Sequence, residues 1–206
     1  FTLLSGAAGL FYMNKCYQIK ARPFWNHLQT ATAFVGNSLS LGALVSGIIV
    51  LSTLLVMNIA IDEAVLVFAS VFTSGLVIEA LGLIIHNHDL NRSNNEGGAA
   101  HYVQCTTFGK TYLLRNTLLG LNIIAALTLL ALQFSGVSSS ALLVPWLALA
   151  LLNCVTALIG RALFYILVIP TTMPGAFFWK NKSFEEHARD TGLADNPATG
   201  VAPLTH

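Results

Sequence analysis

Two charged side chains stand inside long apolar runs, Glu79 in GLVIEALGLIIH and Arg161 in LIGRALFYILVIP. An ion placed in hydrocarbon costs several kcal/mol unless it is paired or hydrated, so such residues mark chemistry. Glu79 precedes His86 by seven residues and Arg161 precedes Pro170 by nine. At 1.5 Å per helical residue, both lie roughly 10 to 14 Å below one surface, which leaves a mutual ion pair or a shared hydrated cavity open. Seven residues are two turns, so Glu79 and His86 share a helix stripe suited to carrying protons toward that surface. The competing reading is a carboxylic acid bonded to a Ser or Thr, with His86 resting in interfacial water; His88, beside Asp89, reads as solvated. Arg161 has Tyr165 one turn on, and together they read as the lining of a site for a polar head group such as that of a quinone. Gly160 would admit a neighbouring helix or ligand closely. The alternative for Arg161 is snorkelling, its stem on Leu and Phe and its guanidinium at the interface.

The elements that must position these residues follow from composition. Of 206 residues, 55% are hydrophobic and 9% charged, against about 25% charged in a soluble domain. A hydrocarbon core needs roughly 20 apolar residues in helical form. Runs at about 31–57, 64–86, 116–134 and 141–169 meet that length. The opening FTLLSGAAGLFYMN reads as the end of a fifth spanning helix, with natural sequence expected upstream. The expected fold is therefore all-α: a polytopic helical membrane protein of about five visible transmembrane helices, over residues 1–170.

With five crossings, Lys15, Lys20, Arg22, Arg92, Lys110, Arg115, Lys180, Lys182 and Arg189 all fall on one face. The opposite connections, NIAIDE and FSGVSSS, hold no Lys or Arg. The positive-inside rule makes the basic face cytoplasmic. On that face, residues 87–115 read as a long polar loop. Residues 171–206 read as an extramembrane tail in which SFEEHARD could form a short helix capped by Ser183, the whole ordered by lying on a partner. A net charge of +1 gives no basic surface for nucleic acid. Cys16, Cys105 and Cys154 are scattered, with no CxxC pair, so no metal or iron–sulfur cage is expected in this chain. None of the six histidines sits mid-span as haem ligation would need, and HExxH, GxSxG and GxGxxG are absent.

Two segments at opposite ends of the chain resemble one family. CYQIKARPFWNHLQTATAFVGNSLSLGALVSG, with Tyr17, Pro23, Trp25 and Leu41-Gly42, is similar to a stretch of the dimethyl sulfoxide reductase anchor subunits. LIGRALFY, with Gly160, Arg161, Phe164 and Tyr165, is similar to that family's last helix, and FGKTYLLRNTLLG to the entry of its penultimate helix. The resemblance spans roughly 1–170 and implies an eight-helix bundle, of which about three helices would precede this chain. It implies the membrane anchor of a molybdenum oxidoreductase in a bacterial inner membrane. A molybdopterin catalytic subunit and a ferredoxin-like iron–sulfur subunit would carry the bound cofactors, with quinone or quinol as the exchanging ligand. The related sulfite:quinone oxidoreductases favour a cytoplasmic complex; sulfite oxidation and dimethyl sulfoxide-type reduction both stay open, as does anaerobic respiration as the setting. No catalytic residue is expected in this chain. Quinone or proton-path candidates are Glu79, His86, Arg161 and Tyr165; docking candidates are Tyr17, Lys20, Arg22, Trp25, Lys110 and Arg115. The rival class is a membrane transporter or channel, which also embeds Glu and Arg but would add broken helices or an internal repeat.

Overall fold

The computed structural model describes residues 1–93 and 96–168, with residues 186, 189, 190 and 192 of the tail. The expected helix SFEEHARD and the docking of the tail on a partner therefore fall largely outside the described residues. The described chain is all-helical: α1 (Thr2–Tyr17), α2 (Leu28–Val56), α3 (Asp62–Arg92), α4 (Glu96–Thr106), α5 (Gly109–Phe134) and α6 (Ser139–Ile166). Helices α2, α3, α5 and α6 are long and apolar enough to cross a membrane. The fifth expected crossing rests on α1, whose 16 residues give about 24 Å of helix.

The chain divides into two compact units, one of residues 31–83 and 113–161 and the other of 1–30, 84–112 and 162–206. The first is built from α2, α3, α5 and α6 and follows the packing logic of lipid, where close backbone approach replaces the hydrophobic effect as the glue. A methyl group on Gly36 would lie 2.7 Å from the Gly75 carbonyl oxygen and 3.1 Å from Glu79 Cβ; one on Gly75 would lie 2.7 Å from the Ser40 nitrogen. Gly47 against Phe68 and Thr32 against Gly82 extend the same antiparallel register of α2 on α3. On α5 and α6, Arg115 meets Gly160 at one end and Gln133 donates to Ser139 Oγ at the other, so they are antiparallel as well. That far end is tied to α3, because Asp62 accepts from the Ser139 N–H and Gln133 donates to the Asp62 carbonyl.

Each of the four helices turns a stripe of residues three or four apart inward. They are Asn37, Ser40 and Ala43 on α2; Phe72, Leu76 and Glu79 on α3; Arg115, Leu119, Asn122 and Ala126 on α5; and Leu149, Asn153 and Thr156 on α6, all buried. Ile49, Ile124, Val144 and Leu158 are exposed, as lipid-facing side chains should be. Hydroxyls within the spans bond the carbonyl one turn back, as Ser70 does to Leu66 and Thr128 to Ile124, which satisfies them without a partner helix. Gly136, at φ 88°, makes the left-handed turn that ends α5 and lets Val137 N–H reach the Leu132 carbonyl.

The second unit gathers α1, the linker to α2, α4 and the ends of α3 and α6. Here the structure departs from the expected loop at 87–115: α3 runs on to Arg92, α4 fills Glu96–Thr106 and α5 begins at Gly109. Gly97, Gly98, Ala99 and Ala100 are buried, and Gly98 sits directly against the Ser93 carbonyl. Small residues allow this polar segment to pack, and helix formation satisfies its backbone groups internally near the membrane.

Candidate functional site

Tyr17 closes α1, Pro23 and Trp25 shape the linker, and Phe164 and Tyr165 lie on the last turn of α6. These are the residues of the two family-like segments, and they meet. The Tyr17 and Tyr165 hydroxyls are 2.9 Å apart. Trp25 Nε1 donates to the Phe164 carbonyl at 2.8 Å, and its ring stacks on Phe164 at 15° with centroids 5.3 Å apart. Tyr17 sets its edge against both, 5.1 Å from Trp25 and 5.3 Å from Phe164, in the tilted geometry aromatic pairs prefer. The Arg22 guanidinium caps Trp25 at 4.7 Å, a cation–π contact. Thr30 Oγ1 donates to the Trp25 carbonyl, which fixes the linker. Trp25 and Phe164 are buried while Tyr165 is 53% exposed, so Tyr165 is the member of the hydroxyl pair open to a further partner. In such a pair one O–H donates and the other oxygen accepts, leaving a second proton to be directed elsewhere.

His86 is buried in the same unit, its ring edge-on to Phe24 at 4.9 Å and to His27 at 4.8 Å. His27 Nδ1 accepts the Gln29 N–H, which leaves Nε2 to carry the proton toward Asp89 Oδ2, 3.2 Å away. His88 reaches the other oxygen of Asp89. The sequence pointed to His86 but missed His27 and Asp89, which lie 62 positions apart and have no shared local pattern.

Glu79 and Arg161 belong to the other unit. Glu79 is 4% exposed, and Arg115 and Arg161 are the cations whose charge reaches it. The Arg161 guanidinium sits 4.3 Å over the Phe34 ring, so its charge is shared between an aromatic face and the interior. Arg115, expected at the docking surface, is 3% exposed, with Nη1 donating to Asn116 and Nε 3.7 Å from where a Gly160 methyl would stand. The absence of a side chain at Gly160 makes room for that guanidinium. The signal was available: Arg115, Leu119 and Asn122 share a stripe, but the apolar run begins at 116, one residue too late to include it. Lys20 and Lys110 are exposed, while Trp25 is buried and Tyr17 half-buried in the aromatic cluster.

Four helices long and apolar enough to cross a membrane, with Glu79 and Arg115 buried among them, describe a multi-pass membrane protein. The family model described as DMSO reductase anchor subunit (DmsC) matches residues 1–167, and the chain belongs to that family. It is thus a membrane anchor subunit of a molybdoenzyme complex, a class whose catalytic and iron–sulfur centres are carried by partner subunits. No curated protein and no solved structure matches the chain.

Proposed function

We propose that this chain is the quinone-interacting subunit of its complex, exchanging electrons between quinone in a bacterial inner membrane and an iron–sulfur subunit docked on the basic, cytoplasmic face. The observation that carries this reading is the cluster of Tyr17, Trp25, Phe164 and Tyr165, which joins the two ends of the family match in one polar-tipped aromatic site. A quinol gives up two protons with its two electrons. Tyr165, half-exposed and bonded to Tyr17, can hold a hydrogen bond to a ring oxygen and pass a proton to its neighbour. Trp25 and Phe164, buried and stacked on each other, hold the two hydroxyls in place, and Arg22 beside Trp25 favours developing negative charge. His27, His86 and Asp89 form a second proton-handling group in the same unit, and the reaction of the catalytic partner is sulfite oxidation or dimethyl sulfoxide-type reduction.

The test is turnover of the intact complex with a quinol analogue, set against turnover with a soluble dye that exchanges electrons with the partner subunits directly. Tyr165→Phe should lower quinol-linked turnover about 10²-fold, the scale of one lost acid–base group, with dye-linked turnover unchanged. Equal rates in both assays would remove the site from the quinone reaction.

A further inference from the structure

Helix α4 carries His101, Gln104 and Cys105 at positions i, i+3 and i+4, which puts the three side chains on one face. They are joined end to end. His101 Nδ1 lies 3.2 Å from Gln104 Oε1, an atom that only accepts, so Nδ1 carries the ring proton and donates it. The other ring nitrogen, Nε2, then offers a lone pair, and it lies 3.5 Å from Cys105 Sγ, in position to accept the thiol proton. A second element holds the ring as well: Tyr112 of α5 meets it edge-on, with centroids 6.3 Å apart.

Burial divides the roles. His101 and Gln104 are 4% and 3% exposed, whereas Cys105 is exposed. The imidazole is fixed and the thiol is open to approach. Nucleophile, base and orienting group in that order are the arrangement that turns a weak thiol into a thiolate. The place of Cys105 makes the base necessary, because it stands in the last turn of α4, where the helix dipole disfavours negative charge. His101 supplies the opposing charge once it has taken the proton. The 11 residues of α4 give about 16 Å of helix, too short to cross a hydrocarbon core about 30 Å thick. The other two cysteines lack this arrangement. Cys16 is exposed on α1 and Cys154 half-buried on α6, and among the described residues neither has an imidazole at hydrogen-bonding distance.

We infer that Cys105 is a modification site, a thiol activated by His101 that takes low-molecular-weight disulfides, with Gln104 as its positioning residue. The thiol proton passes to His101 Nε2, and the thiolate attacks one sulfur of a disulfide RS–SR. A bond from Cys105 Sγ to that sulfur forms as the RS–SR bond breaks, and the departing RS⁻ takes the proton from His101 to leave as RSH. Cys105 is oxidised, the departing sulfur is reduced, and the imidazole ends as it began. Attack by a second thiol on the mixed disulfide reverses the modification.

The test uses the assembled complex and the neutral probe bis(2-hydroxyethyl) disulfide, with the adduct on the Cys105 peptide quantified by mass spectrometry after acid quenching. The reference is N-acetylcysteine amide, a fully accessible thiol with no base beside it, which at about pH 6.5 is almost wholly protonated because its pKa is about 8.5. Cys105 should react about fivefold faster, since the gain in thiolate outweighs the loss of intrinsic nucleophilicity that accompanies activation. His101→Gln should bring the rate down to the reference or below. Gln104→Glu, which keeps an acceptor for the Nδ1 proton, should retain the gain that Gln104→Leu loses, a rescue that a merely space-filling Gln104 would not show. A Cys105 rate at or below the reference in the unaltered complex overturns the site, and that comparison decides even where a variant fails to assemble. A gain that survives His101→Gln overturns it equally.

Discussion

Glu79 lies 4% exposed in a unit that also buries Arg115 and half-buries Arg161. A carboxylate among Leu and Ile is costly unless a cation or water reaches it. An Arg at the first turn of a span can face either water or the bundle, and Arg115 faces the bundle, at 3% exposure. The structure ranks the two arginines by burial, and the ranking has consequences. Arg115→Leu removes the more buried of the two cations around Glu79 and should lower stability by roughly 3 kcal/mol, the scale on which buried charges respond to losing a partner. Arg161→Leu should cost less, because its guanidinium is only half-buried and rests on Phe34. The double variant Glu79→Gln with Arg115→Leu should be milder than the sum of the single changes. Thermal unfolding of the solubilised complex measures all four, and strictly additive losses would show that the charges do not interact. Trp25→Phe isolates a second residue-scale term. It keeps the stacked ring and removes the bond to the Phe164 carbonyl, so it should cost about 1 kcal/mol while lowering quinol-linked turnover more than dye-linked turnover.

Among the elements, the four long spans were legible because 18 or more apolar residues in succession leave little choice of structure in lipid. Helix α4 was not, since a polar, glycine-bearing segment between two spans has the composition of a loop, and only the packing of Gly97 to Ala100 makes it a helix. The α2/α3 crossing was equally hidden: Thr32, Gly36 and Ser40 form a small-residue stripe whose partner, Gly75 and Gly82, can be recognised only once the antiparallel register is known. That crossing positions Glu79, so its glycines should be intolerant. Gly36→Val forces a branched side chain against the Gly75 carbonyl and should destabilise the complex by about 1 to 3 kcal/mol, the range for overpacking. Gly42 and Gly120 face open space, and Gly→Ala at either should be neutral or stabilise by up to about 1 kcal/mol, since alanine is the better helix former. Midpoints of thermal unfolding would separate the two classes. Matching losses at Gly36 and Gly42 would mean that close approach is not what holds the crossing.

For the molecule as a whole, sidedness is an expectation drawn from the sequence. Sorting nine cations onto one face required only the spans and the alternation of their connections. The family likeness was legible in two fragments about 140 residues apart, and their meeting as Tyr17, Trp25, Phe164 and Tyr165 explains why neither fragment is informative alone: each supplies half of one aromatic cluster. The docking surface was legible only as a list of charges, because burial decides which of them meet solvent. With Arg115 inside, Lys20 and Lys110 are exposed cations of the unit that also holds the aromatic cluster. If the iron–sulfur subunit docks there, these lysines steer it by long-range attraction, an effect that salt screens over about 8 to 10 Å. Lys20→Glu with Lys110→Glu should therefore weaken retention of the partner subunits during purification severalfold at low salt. The difference from the unaltered complex should shrink at high salt, where both bind weakly. Co-purification quantified by mass spectrometry across a salt series measures this. Retention unchanged at low salt would move the docking surface away from these two lysines, and dye-linked turnover in the same membranes would show whether the partners are present and intact.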